Sequence, residues 1–192
     1  MNDKRGTVVG KGASAQLSPA MRQYVGMKKE NPDAILFFQM GDFYELFFDD
    51  AVVAAPLLDI VLTSRSKKGD EPIPMCGVPL SAGIDYANSL TGLGYSVALA
   101  RQVGDPKQTK GVVERVIWQV GTPGMPLTGE TQAPREPHYV ASIYPSSGGI
   151  GLAGLEVSTG EILLARFGNI ENLRAEFITL ATHECLVPDD CP

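Results

Sequence analysis

Between Phe37 and Phe48 the chain places five phenylalanines and one tyrosine in twelve residues, with Gly41, Asp42 and Glu45 among them. An aromatic ring beside a carboxylate, near a glycine that lets backbone come close, can act as a wedge and a reader. The ring stacks on a flat partner and the carboxylate hydrogen-bonds its edge. Phe43 and Glu45 are that pair. Asp42 to Glu45 also has capping-box spacing, which predicts a helix over 42–58. Tyr44, Phe47 and Phe48 then share one helical face and Phe43 points elsewhere. The plainer alternative makes Phe43 a core residue and Glu45 a cap, and on physics alone it is the favoured one.

Other constellations are weaker. Gly149, Gly151 and Gly154 have the letters of a dinucleotide fingerprint, but those glycines must leave a strand and open a helix, and here they lie in a strand pattern. Gly10-Lys11 lacks the Ser/Thr and leading glycine of a phosphate loop. His183, Cys185 and Cys191 could ligate a metal, yet no fourth ligand or paired spacing accompanies them, and free thiols with a surface histidine are the better reading. With two histidines, three cysteines and no nucleophile motif, no catalytic residue and no metal site are assigned. Basic residues cluster at Lys28-Lys29, at Arg65, Lys67 and Lys68, and from Lys107 to Arg115. Such clusters are usually solvated faces.

The elements that position these residues follow from periodicity. Residues 1–17 have none and read as a mobile tail; Ser18-Pro19 caps a helix that ends at Asn31-Pro32. Strands are expected at 34–38, 60–64, 95–103 and 112–120, with a polar loop at 65–71 and a helix at 82–93. The alternation predicts an α/β or mixed α+β sheet domain. Prolines and glycines at 121–137 mark a linker. Strands at 139–144, 150–157 and 161–167 form a meander, followed by a helix at 170–182 and a further strand beginning at Cys185.

Of 192 residues, 44% are hydrophobic and 20% charged, the balance of a globular chain with a real core rather than a disordered or disulfide-built one. No apolar run approaches a membrane span and no signal peptide is evident. Sparse cysteines are expected to be reduced thiols in the cytoplasm. The net charge of −6 is uneven: residues 1–128 hold 13 basic and 13 acidic side chains, residues 129–192 three and nine. Nucleic acid would be repelled by the last third.

The segments Met40 to Phe47, Glu71 to Pro79, Gln102 to Pro106 and Thr122-Pro123-Gly124, in this order and spacing, resemble the N-terminal part of the MutS DNA mismatch-repair proteins. The resemblance runs from about Ser18 to Gly124 and more weakly to the end. It implies a mixed-sheet mismatch-recognition domain over 18–124, a linker over 125–137, and an incomplete RNase H-like connector domain over 138–192. By resemblance, Phe43 enters the minor groove and stacks on a mispaired base, and Glu45 hydrogen-bonds that base. Arg65 and Arg115 match basic positions on the DNA backbone, and Met75 matches a residue near the minor groove. Lys67 and Lys68 share the Arg65 loop and would add phosphate contacts. Defects stack poorly, so kinking there costs less than at a paired step. A carboxylate among phosphates is repulsive unless it meets a base proton or carries one, so Glu45 is expected to be partly protonated when docked.

Departures from the family pattern fall at Leu80-Ser81, Arg101, Val116, Gln119 and Met125, and the lost bases weaken expected DNA contacts. The family's clamp and C-terminal ATPase are not in this chain. The resemblance therefore implies a fragment of a longer protein whose ATP and Mg sites, homodimer contacts and nucleoid location belong to the whole. No cofactor is expected here. Expected partners are mismatched double-stranded DNA, the rest of the chain and a MutL-like repair protein through the connector. Two alternatives are a protein-interaction module with little DNA binding, and a small α/β nuclease, which lacks a carboxylate cluster for metals.

Overall fold

The computed structural model describes residues 17–65, 72–104, 111, 113–127 and 137–189. It forms two compact units that divide between Gly121 and Thr122. Both combine helices with mixed sheets, an α+β architecture.

The first unit begins with α1 (Pro19–Glu30), capped by Ser18, whose hydroxyl accepts from the Met21 N–H. Strand β1 (Ala34–Met40) turns through Gly41 and Asp42 into β2 (Phe43–Phe47). Gly41 has φ of 61° at the first central position of this two-residue hairpin, a backbone that glycine adopts without strain and a type II′ turn requires. The chain then runs through α2 (Phe48–Leu57), β3 (Thr63–Arg65), β4 (Ile73–Pro79), a 3-10 turn, α3 (Gly83–Gly92), β5 (Ser96–Val103) and β6 (Glu114–Gly121). The sheet order is β3-β4-β2-β1-β5-β6, with β1 and β5 parallel and the other pairs antiparallel.

Strand alternation sends successive side chains to opposite faces. Leu36, Phe38, Phe47, Ala98 and Ala100 pack under Met21 and Tyr24 of α1. Tyr44, Leu46, Cys76 and Val78 take the other face, where the Cys76 thiol meets the Ala51 carbonyl of α2 at 3.8 Å and Gly83 at the start of α3 lies against the Tyr44 ring. A buried polar knot ties the α1 side together. Asp50 accepts from the Tyr24 hydroxyl at 2.7 Å, Lys28 Nζ at 2.8 Å and the Leu36 N–H at 3.0 Å.

The helix expected over 42–58 is corrected here. Its first part is β2, and the helix starts at Phe48, whose φ of 54° bends the chain out of the sheet. The capping-box letters lost to tertiary pairing, because β2 is hydrogen-bonded on both sides, to β1 and β4. Tyr44 and Phe47 consequently lie on opposite faces, not together. Strand β4 had no counterpart in the sequence reading, since Pro74, Gly77 and Pro79 suppress a strand signal. Pro79 is tolerated as the strand's last residue, and Pro74 faces only the three-residue edge strand β3.

The second unit is the meander β7 (Tyr139–Ser146), β8 (Gly149–Glu156) and β9 (Ile162–Phe167), then α4 (Ile170–Thr179) and β10 (Glu184–Leu186), in the sheet order β10-β7-β8-β9. Strand β10 runs parallel to β7. Leu173 of α4 packs on Ala141 and Leu152, with Phe167 and Phe177 beside them. Gly149, Gly151 and Gly154 all lie in β8, so they open no helix and form no dinucleotide turn. The Thr122-Pro123-Gly124 turn is pinned by Glu184, which accepts from the Thr122 hydroxyl at 2.5 Å and the Gly124 N–H at 3.1 Å. Any side chain at position 124 would strike Val140 and Glu184.

Candidate nucleic-acid interface

Phe43 is the first residue after the β1–β2 turn, opposite Met40 on one side and Pro79 on the other. Placed at the end of the hairpin beside the exposed Gly41 and Asp42, it is 50% exposed, while Phe37 and Phe38 behind it are fully buried. Glu45 lies two residues behind, so it shares Phe43's face. Phe38 of β1 and Gly77 of β4 flank it. The floor is apolar: Phe38 is fully buried, and Gly77 presents no side chain beside the carboxylate. A methyl at position 77 would sit 3.1 Å from the Tyr44 carbonyl and 3.6 Å from Glu45 Cγ.

Two arginines face Glu45 in different states. Arg65, on the last turn-out of edge strand β3, brings Nη1 to 3.6 Å from Glu45 Oε2, and its side chain is 49% exposed against 21% for Glu45. That separation is an ion pair without a formed hydrogen bond. Glu45 Oε2 is sealed from solvent and has no hydrogen-bond partner. Burial pushes the Glu45 carboxyl above its usual range, and Arg65 and then Arg115 pull it only part of the way back.

Arg115, on β6, is 7% exposed. Its Nε donates to the Gln39 carbonyl at 2.7 Å, Nη1 donates to the Val113 carbonyl at 2.9 Å, and Nη2 lies 3.2 Å from Met40 Sδ. Its guanidinium carbon sits 4.6 Å over the Phe38 ring centroid. In this structure Arg115, expected on the DNA backbone, is buried and engaged within the first unit. Nε and Nη2 reach the hairpin stem that carries Phe43 and Glu45, and Nη1 reaches back to Val113, just before its own strand.

Met75 is partly buried, opposite Phe47 and Thr63 on the α1 side of the sheet, one alternation further from the tip than Gly77. Lys67 and Lys68 lie outside the described residues. Two contributors were missed by sequence reasoning. Phe38 is the aromatic floor, and Gln39 fixes β5 by accepting the Gln102 N–H at 2.8 Å. The clue to Phe38 was its place in the apolar run 34–38, where alternation puts it on one face with Leu36; Gln39 lies just past that run and carried no signal. On the opposite face Arg101 stacks 5.3 Å over Trp118, whose indole N–H points to the Tyr44 hydroxyl at 3.4 Å.

In the second unit, His183 stacks on His138 with centroids 3.8 Å apart, and among the described residues no group of three or more His, Cys, Asp or Glu side chains could hold a metal. Cys191 lies outside the described residues. Cys76 is buried, and burial with the nearby Asp50 charge pushes its thiol up to about 11, so it stays protonated and unreactive. Among the described residues no helix is long and apolar enough to cross a membrane.

Residues 18–130 match the family profile of MutS domain I, and residues 138–192 that of MutS domain II. The chain is 42% identical over 177 residues to the DNA mismatch repair protein MutS of Desulfatibacillum aliphaticivorans, an alignment covering 92% of this chain and 20% of that protein. It is 44% identical over 172 residues to the protein of the same name from Streptococcus mutans, covering 90% and 20%. For Geobacillus thermodenitrificans the figures are 43% over 174 residues, 90% and 19%. The chain thus spans about a fifth of the length of these relatives. Matched across both units by MutS domain profiles, and carrying the Phe43 and Glu45 hairpin in the first, this chain belongs to the MutS family of mismatch-repair proteins.

Proposed function

We propose that this chain recognises mismatched or looped-out bases in duplex DNA by inserting Phe43 into the minor groove while Glu45 contacts the displaced base. The observation that carries this is the exposed ring at the hairpin tip with, on the same face behind it, a partly buried carboxylate whose Oε2 is sealed and has no hydrogen-bond partner. An inserted ring gains where stacking is already weak, so the chain reads deformability and not a base sequence. Arg65 and the loop of Lys67 and Lys68 hold phosphates and position the duplex. Arg115 and Phe38 hold the hairpin stem under the wedge. Glu45 takes up a proton when docked and donates it in a hydrogen bond to a base acceptor. No residue of this chain is assigned a catalytic step. ATP and Mg belong to other parts of the longer protein, as do the dimer contacts, and the cytoplasmic nucleoid is the setting.

The test is fluorescence anisotropy at low salt with two duplexes of equal length, one carrying a single G·T mismatch. The wild-type chain should prefer the mismatch, and Phe43→Ala should abolish the preference. Loss of one stacked base is worth about 1–3 kcal/mol. Equal binding of both duplexes by the wild-type chain would reject the reading.

A second reading, that the second unit docks a MutL-like repair protein, is favoured by β9, an edge strand whose Ile162 and Leu164 are 66% and 79% exposed. Ile162→Lys with Leu164→Glu should abolish capture of purified MutL-like protein and leave mismatch preference unchanged.

A further inference from the structure

Glu45 is faced by two cations of unequal freedom. Arg115 is locked by two backbone carbonyls and a ring stack, so it cannot leave. Arg65 ends a three-residue edge strand, is half exposed, and reaches Glu45 at 3.6 Å without forming a hydrogen bond. No other charged group among the described residues faces the carboxylate. Strand β1 offers Phe38 there and β4 offers Gly77, while β5 offers the uncharged Gln102. On α1, Lys28 is engaged by Asp50 and Arg22 by the Leu17 carbonyl.

Building on the recognition function above, we propose that Arg65 is a displaceable counter-ion of Glu45, which it neutralises in the free protein and surrenders to a DNA phosphate on docking. A phosphate competes well for such an arginine. It offers formed, charge-assisted hydrogen bonds in place of a stretched contact. Removal of Arg65 leaves Glu45 in its apolar seat with one oxygen unpartnered and only the fixed Arg115 for compensation. Taking a proton from solvent is then the least costly answer, and the protonated carboxyl becomes a hydrogen-bond donor. The device makes the donor appear only after the backbone has engaged. In the free protein the same group is held as the Arg65 ion pair.

The experiment is a titration of the Glu45 side-chain carboxyl by carbon-13 NMR between pH 4 and 8. The chain is observed free and then saturated at low salt with a short duplex carrying one G·T mismatch. In the wild type the midpoint should rise on adding the duplex. In Arg65→Gln the free midpoint should already be raised, and the duplex should add little. Arg65→Lys, which keeps the charge, should restore a lower free midpoint. A wild-type midpoint that stays or falls on binding would overturn the proposal. So would a duplex-induced rise of equal size in Arg65→Gln, since phosphates alone would then be the cause. In either case a mismatch preference that persists and depends on Phe43 keeps the recognition function and removes only the counter-ion role. Loss of the preference in the wild type removes both.

Discussion

The roles proposed for Phe43 and Glu45 carry free-state energetic signatures that can be measured. A ring half in solvent contributes little to the fold, so Phe43→Ala should change unfolding free energy by no more than about 0.5 kcal/mol. Urea denaturation checks this beside the binding assay. Glu45 carries the opposite signature. Its carboxyl titrates above the usual range in the fold because burial disfavours the anion. The folded state therefore holds its proton more tightly than the unfolded chain does, and that advantage is lost as pH rises through the folded value. Glu45→Gln should accordingly be more stable than wild type near neutral pH, and the difference should shrink toward pH 4, as melting curves would show. The two arginines should part in the same way. Arg115→Ala strands the Gln39 and Val113 carbonyls and should cost about 1–3 kcal/mol, whereas the exposed Arg65→Ala should cost less than about 1 kcal/mol.

At the scale of elements, the hairpin is held from below. Helix α1 and the β2–α2 junction meet at Asp50, where a hydroxyl, an ammonium and a backbone N–H converge on one carboxylate. Removing a partner of a buried pair leaves an uncompensated charge. Asp50→Ala is expected to destabilise the first unit by about 3–5 kcal/mol in urea unfolding. The sequence showed α1 clearly, because a Ser-Pro start and an Asn-Pro stop are local signals. It misread β2 because Asp42 and Glu45 satisfy a helix-start rule as well as a strand. The decision came from β4, a proline- and glycine-bearing strand that no local rule would nominate. Phe43 and Glu45 were legible as residues; their shared face was not, since helical spacing would have pointed them apart.

For the whole molecule, the second unit has an acid sensitivity of its own. Glu156 accepts from the His138 N–H, both Thr159 donors and the Ser158 hydroxyl, and these bonds hold its carboxyl far below the usual range. A depressed carboxylate stabilises the fold above its unfolded value of about 4.5, and that contribution is lost as pH falls toward the folded value. Thermal melts at pH 7 and at pH 3 should show the second unit losing stability with acid, and Glu156→Gln should flatten that dependence while lowering stability at pH 7. The meander and α4 around this cap were visible from turn residues and alternation. The stacking of His138 on His183 was not, because it depends on β10 returning parallel to β7.

By itself the sequence determined the family, the α+β class, the Phe43 and Glu45 spacing and the Ser18 cap of α1, all of which rest on residue types at short spacing. Only the tertiary structure decided that the pair sits on a strand, that Arg115 is buried while Arg65 is half exposed, and that Glu45 Oε2 lacks a hydrogen-bond partner. These outcomes depend on which strands lie side by side. Strand β4 separates Arg65 from Glu45 in the sheet, and β1 and β5 lie between Glu45 and Arg115. Contacts across such distances in sequence are set by sheet order and register, which no local pattern encodes.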